Sequence, residues 1–357
     1  MSIAYDIRRE VERNVVRARN GIKYASGTEW APEHASPREL VWSQGKARLW
    51  RLRSDRVTMG PPVLMFIGLV SLPHILDLHE KSTLAGALRD AGFDVYILDW
   101  GAADEGDAQN TLETYLVRYL PRAVRALLRE SQCDDVTLLG YCMGGCFALV
   151  AVGGQVSIPL RNLVIFATPV DFSQMGGLVE ALRDGEIDPE SMVDWTGNVP
   201  PHIVSSFFRI RKPTVELVQY ANLWENLWSD EFLSSYQAMA RWASTHVPVP
   251  GALFRQVLKG WLYDNGFANG TLRLAGRRVD LANIDVPMLS VVAMRDDIVP
   301  PPAALPLGSL VDVPEFELFE VPAGHAGLAG SRKAVHVTFP GVVDWLRRHS
   351  DTREPHQ

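Results

Sequence analysis

Val136-Thr137-Leu138-Leu139-Gly140-Tyr141-Cys142-Met143-Gly144-Gly145 decides the fold. A four-residue run, apolar except for Thr137, predicts a buried strand. A Gly-x-Cys-x-Gly-Gly turn follows, and then a run of small residues to about Val152 predicts a helix. A strand that turns at once into a helix through a strained residue needs small neighbours two positions to either side, and Gly140 and Gly144 supply them. Cys142 then stands where a nucleophile stands, at a helix N-terminus whose N–H groups and dipole favour a thiolate and a developing oxyanion. Working outward, Val63–Val70 reads as a strand and Ser82–Ala91 as a helix stopped by Gly92. Asp94–Leu98 is a strand that closes on Asp99-Trp100-Gly101. Thr111–Arg129 is helical, with Asn110 and Glu113 as the expected cap pair and Pro121 as a kink. Leu163–Ala167, Met288–Ala293 and Glu315–Glu320 are further strands, and Val335–Arg348 is a final helix. Such alternation predicts an α/β fold with a mostly parallel sheet and helices on both faces.

The alternation stops between about Asp171 and Asn283. Trp195, Phe207, Phe208, Tyr220, Trp224, Trp228, Tyr236, Trp242, Trp261 and Tyr263 crowd this stretch, with Pro200, Pro201, Pro213, Pro248 and Pro250 between them. A largely helical insertion is expected, acting as its own small core and as a lid over an acyl channel. Ahead of the α/β pattern, about Asp6–Tyr24 reads as an amphipathic helix, packed on the body or open to a partner. Leu40–Trp42 and Ala47–Leu52 flank Gln44-Gly45 as a hairpin. The expected division is residues 1–60 for helix and hairpin, 61–170 for the first part of the core, 171–284 for the lid and 285–350 for the second part of the core.

A net charge of −7 speaks against a nucleic-acid footprint. No run of apolar residues is long enough for a membrane span. The N-terminal stretch lacks the apolar core of a secretory signal, so a reducing cytoplasm with free thiols is expected. No metal-type spacing of Cys and His and no phosphate loop of the G-x-x-x-x-G-K-[ST] type occurs, so neither a metal nor a resident cofactor is expected. A cysteine nucleophile needs a base. After the insertion, Asp296-Asp297 follows one strand and His325 follows the next, within Gly324-His325-Ala326-Gly327. Nucleophile, acid and histidine in that order, each at a strand end, match the α/β-hydrolase arrangement. Asp296 and its neighbour Asp297 compete for the acid role. Cys133 reads as a loop thiol and Cys146 as core, while His74 and His79 are equally surface or pocket residues.

Beyond the elbow, the chain resembles the catalytic subunit of class III polyhydroxyalkanoate synthases over roughly residues 38 to 348. The motifs are Leu69-Val70-Ser71 with Leu76-Asp77-Leu78, Asp99-Trp100-Gly101, the Cys142 turn, Thr168-Pro169-Val170-Asp171-Phe172, Gly197-Asn198-Val199-Pro200, Asp264-Asn265-Gly266-Phe267, Asp296 with Val299-Pro300-Pro301, and Gly324-His325-Ala326-Gly327. The resemblance implies an acyltransferase that moves (R)-3-hydroxyacyl groups from coenzyme A thioesters to a growing polyester through an acyl-cysteine. Cys142 would be the nucleophile, His325 the base and Asp296 the acid. The backbone N–H groups of Met143 and Val70 would form the oxyanion hole. Coenzyme A would enter only as part of the substrate. A second, mostly helical synthase subunit, self-association and residence on the polyester granule surface in the cytoplasm follow from the same likeness. Three positions depart from the family pattern: Asp297 stands where histidine is frequent, Ser71-Leu72 replaces an Asn-Arg pair, and Cys146 replaces a small alanine. Competing readings are a thiol hydrolase similar to dienelactone hydrolases, an acyl-CoA thioesterase, and a non-catalytic granule-associated protein.

Overall fold

The computed structural model describes residues 3–29, 32, 34–210 and 223–353. Tyr220 and Pro213 of the aromatic stretch lie outside the described residues. Helix α1 (Ile3–Ala25) leads into the hairpin strands β1 (Arg38–Gln44) and β2 (Ala47–Leu52), which pair antiparallel. Strands β3 (Met59–Ile67), β4 (Phe93–Asp99), β5 (Val136–Tyr141), β6 (Leu160–Phe166), β7 (Met288–Ala293) and β8 (Phe316–Val321) follow. They join one sheet in the order β1-β2-β4-β3-β5-β6-β7-β8. Every pair from β4 to β8 is parallel, and β2 meets β4 antiparallel. A short strand β9 (Asp351–Thr352) pairs antiparallel with the start of β3 and ties down the C-terminal segment.

Strand β3 illustrates why the sheet needs cover on both sides. Its alternate residues feed two separate cores: Leu64 and Phe66 join one, Val63, Met65 and Ile67 the other. A strand has a side-chain period of two, so an unbroken apolar run is stable only when both faces are buried. Helices α3 (Leu120–Ser131) and α4 (Met143–Gly153) cover the first face together with residues of the insertion. Helices α2 (Leu84–Asp90) and the later Phe339–Arg348 cover the second, with Trp345 fully buried. Each buried Leu, Val or Phe contributes roughly 1.5–3 kcal/mol against the entropy of ordering the chain.

Helix α2 begins as its sequence suggests, with the Thr83 side chain accepting from the Gly86 N–H, and ends before Gly92 at φ +97°. The next helix corrects an expectation. Asn110 and Glu113 do not cap it: the Asn110 amide donates to Asp107, and the Glu113 carboxylate accepts from Gln256 and from the Ala275 N–H. A carboxylate three residues back takes the first side chain, and long-range partners take the second. Pro121 produces no simple kink. Its missing N–H interrupts the hydrogen-bond ladder, and the turns before it, Glu113–Tyr119, widen into a π-helix.

Between β6 and β7 the chain forms the short helices Leu178–Arg183, Pro201–Ile210 and Gly251–Val257, the longer α5 (Asp230–Ser244) and two ribbons of two-residue strands. Helix α1 packs on this region. Asn20 donates to the Leu227 carbonyl and to Asp230, and the Arg13 guanidinium lies over Trp228. Residues following α5 reach the active-site end of the sheet: His246 bridges to Ser71, and the Val247 N–H donates to the Val70 carbonyl at 3.3 Å.

Candidate active site

Strand β5 delivers the chain to the C-terminal edge of the sheet, where Cys142 takes φ +56° and ψ −122° before α4 begins. That conformation is costly for a residue with a Cβ and persists only where its surroundings over-determine it. They do so here. A Cβ on Gly140 would meet the Gly144 carbonyl oxygen at 2.6 Å, and one on Gly144 would meet the Phe66 carbonyl oxygen at 2.5 Å. The strand, the turn and the helix therefore approach one another through hydrogen-sized gaps. From the loop just after β6 the Thr168 hydroxyl donates within reach of the Cys142 carbonyl (3.2 Å), and the Cys142 N–H donates to the Phe166 carbonyl at the end of β6 (2.7 Å).

The other two residues arrive on loops after β7 and β8. Asp296 is buried, and its Oδ1 accepts from the N–H groups of Ile298 and Val299 at 2.8 and 2.9 Å. Its Oδ2 lies 2.6 Å from Nδ1 of the buried His325. This arrangement leaves Nε2 as the nitrogen turned to other business, and Cys142 is within hydrogen-bonding contact of the imidazole. Burial by itself pushes the imidazole pKa down. The negative charge at Cys142 and at Asp296, with a hydrogen bond to each, outweighs it and lifts the pKa to about 10. The ring between Cys142 and Asp296 is thus held toward its protonated form. Of the two adjacent acids, Asp297 is exposed while Asp296 holds the ring.

Sequence reasoning quoted Tyr141 and Thr168 within motifs but gave neither a role. The fully buried Tyr141 hydroxyl donates to the His325 carbonyl at 2.5 Å, and its ring stands edge-on to the imidazole at 5.6 Å. Nothing local in the sequence announces a bond across 184 positions. Met143 opens α4, and Val70 lies in the turn after β3. Among the described residues neither N–H has an acceptor. Cys146, one turn beyond Cys142, is fully buried, donates to the Pro169 carbonyl, and has its pKa driven well up by burial. Cys133 is half-buried and takes a hydrogen bond from Arg353. His79 is buried against Ser234, and burial lowers its pKa. His74 stacks edge-on with His34. None of these joins the cluster.

Several motifs prove to be structural partners of one another. The Asn265 amide donates to Asp171 Oδ1 at 2.8 Å, while its carbonyl accepts from the Phe172 N–H at 2.8 Å. Asp77 accepts from the Ser36 N–H and hydroxyl and from Thr83, and the Trp100 indole N–H donates to the Ile67 carbonyl. Among the described residues no group of three or more His, Cys, Asp or Glu side chains could hold a metal ion, and no helix is long and apolar enough to cross a membrane.

A family model described as "alpha/beta hydrolase fold" matches residues 61–329. The chain is 34% identical over 318 residues to the poly(3-hydroxyalkanoate) polymerase subunit PhaC of Allochromatium vinosum, covering 87% of this chain and 88% of that protein. It is 33% identical to the PhaC subunit of Thiocystis violacea, covering 88% and 89%. To the PhaC subunit of Haloferax mediterranei it is 32% identical over 89% of this chain, and it spans 65% of that protein's length. Among solved structures, the complex of DcsB with its substrate analogue superposes with a TM-score of 0.52 at 15% identity, covering 88% of this chain and 99% of that one. A metagenome-derived lipolytic enzyme gives 0.51 at 14%, covering 89% and 99%. These last two similarities concern the fold.

Proposed function

Since the chain belongs to the poly(3-hydroxyalkanoate) polymerase family of the α/β-hydrolase fold, we propose that it builds polyester from (R)-3-hydroxyacyl-coenzyme A through an acyl-cysteine at Cys142. The observation that carries the reading is the strained Cys142 in contact with a buried imidazole whose far nitrogen is fixed by Asp296.

The Cys142 thiolate attacks the thioester carbonyl. The carbonyl oxygen takes the negative charge, beside the free N–H groups of Met143 and Val70. Collapse breaks the bond to the coenzyme A sulfur, which leaves with the proton held on His325. One thioester has replaced another, so the step is nearly balanced in energy and reversible. The neutral imidazole then removes the proton from the 3-hydroxyl of a second unit. That oxygen attacks the acyl-cysteine, an ester forms, and Cys142 departs as a thiolate beside the restored imidazolium. Asp296 keeps the ring in one orientation and stabilises its charge through both halves. Every step uses the chain's own groups, and coenzyme A enters as part of the substrate. The second half-reaction competes with hydrolysis, so water must be kept from the acyl-cysteine. The insertion serves as the lid, its residues 246–247 being hydrogen-bonded to the loop that bears Val70. A second synthase subunit, self-association and a polyester granule as the working surface complete the proposal.

The test is coenzyme A release from (R)-3-hydroxybutyryl-coenzyme A with the product separated into insoluble polyester and soluble acid. Wild type and Cys142→Ala are compared, each with and without a class III partner subunit. Polymer from the wild type alone, increased by the partner, supports the proposal. Cys142-dependent release of free acid only, with the partner present, replaces it with a thiol hydrolase.

A further inference from the structure

Along the β1 edge of the sheet, four strands to the side of the one that bears Cys142, runs a concentration of positive charge with no acidic partner among the described residues. Arg118, Arg122, Arg125 and Arg129 are all exposed, and their spacing puts them along one stripe of the helical segment leading through α3. Arg122 donates to Gln44 on the edge strand β1. No acidic partner faces any of the four among the described residues. Glu39 and Glu130, the acids on the same two elements, are both engaged by Arg51. In a chain of net charge −7, four adjacent uncompensated guanidinium groups are an unusual local field.

Between this stripe and β1 lies a cleft of about 540 Å³ lined by Trp42, Gln44, Arg122, Arg125, Leu128 and Arg129. Its apolar floor is Trp42 and Leu128, both half-buried, and its walls are cationic. We propose that this cleft docks an acidic amphipathic helix of a partner polypeptide, with carboxylates on the arginines and an apolar side chain over Trp42 and Leu128.

Spacing selects a helix over a strand. From Arg118 to Arg129 the stripe covers about 16 Å, and carboxylates at i, i+4, i+7 and i+11 of a second helix repeat with the same rise. A strand presents same-face side chains at about 6.8 Å and drifts from that ladder. Strand addition to β1 is disfavoured on other grounds, because its register shifts at a bulge between Leu40 and Trp42. Arginine suits carboxylates in particular, since its planar fork pairs with them in a bidentate manner. The cleft stands four strand spacings, roughly 19 Å, from the strand that carries Cys142, so an occupant leaves the reaction path clear.

The test titrates the full chain with a fluorescein-labelled synthetic helical peptide bearing glutamates at i, i+4, i+7 and i+11 and leucines on the adjoining stripe, followed by anisotropy. Saturable binding is expected that weakens with salt, is absent for a lysine-for-glutamate peptide, and loses at least about tenfold in affinity in Arg122→Glu/Arg125→Glu. Both positions are exposed, and coenzyme A release by the double variant should stay at the wild-type level, which separates this claim from the reading of the active site. Equal affinity of wild type and double variant overturns the proposal. Full competition by inorganic phosphate at matched ionic strength reduces the cleft to a small-anion site and overturns it as well. So does a dimer of the chain, seen by sedimentation, that the double variant abolishes.

Discussion

At the end of β5 the backbone has one course open to it: glycines at 140, 144 and 145 sit where a Cβ would strike backbone or the Thr168 hydroxyl, and the strained Cys142 is the outcome. The insertion between β6 and β7 is assembled differently. Its short helices and two-residue strands are joined by side-chain bonds between distant segments, such as Asn265 to Asp171, and by loop contacts such as the Gly251 N–H to the Gly197 carbonyl. Trp195 and Trp224 meanwhile remain largely exposed. Close packing of backbone makes the first region intolerant of an added methyl at three glycines within six positions, while in the second such contacts are scattered, as at Gly251 and Gly266, and polar side-chain links hold much of the rest. The two thiols on α4's first turns repeat the contrast at smaller scale. Cys142 meets an imidazole and is partly exposed, whereas Cys146 is sealed in the core with its proton held. The reactivity proposed for Cys142 and the inertness of Cys146 both rest on position.

The largest effects fall on the rigid side of that contrast. Cys142→Ala should reduce coenzyme A release by roughly four orders of magnitude or more while leaving the thermal midpoint close to wild type. Asp296→Asn should cost roughly 10²- to 10⁴-fold in kcat, since the ring loses both its orientation and its charge partner. Steady-state kinetics and circular dichroism check both. Normal activity in Asp296→Asn would break the assignment of the acid.

Gly140→Ala should destabilise the fold by about 1–3 kcal/mol through overpacking against the Gly144 carbonyl, measured by urea denaturation. The imidazolium adds a pH signature. His325 titrates near 10 in the folded chain and near the ordinary 6.5 when unfolded, so its stabilisation is complete below about 6.5 and fades as pH rises toward 10. The stability gap between wild type and His325→Gln should therefore narrow from pH 7 to pH 10. A gap that widens would contradict the ion-pair description.

On the tolerant side the effects shrink. Asn265→Ala removes the reciprocal pair with Asp171 and Phe172 and should cost about 1–2 kcal/mol. Trp195→Ala, at a side chain 87% exposed, should change stability by no more than about 0.5 kcal/mol. A larger loss there would mean that the insertion shares the cooperative packing of the core.

The same division governs what the sequence discloses. The elbow is legible because its cause is local: a strand, a nucleophile and small residues within ten positions. The order of Cys142, Asp296 and His325, each after a strand, is legible because strand ends in a parallel sheet share one edge. Between Asp296 and Asp297 the residues alone left the choice open, with only the resemblance pointing to Asp296; in the structure Asp296 is buried against His325 and Asp297 is exposed. Asn110 and Glu113 look like a cap pair, but Asn110 turns back to Asp107 and Glu113 finds partners far along the chain, which a local rule cannot foresee. Tyr141 and Thr168 brace the site through contacts that exist only once β5, β6 and the His325 loop have met.

The central claim is that acyl transfer runs through Cys142. Intact-protein and peptide mass spectrometry after rapid mixing with (R)-3-hydroxybutyryl-coenzyme A tests it most directly. A hydroxybutyryl adduct on the peptide containing Cys142, formed as coenzyme A is released and absent from Cys142→Ala, is the predicted result. Undiminished coenzyme A release by Cys142→Ala, with no adduct on the wild-type peptide, would contradict it.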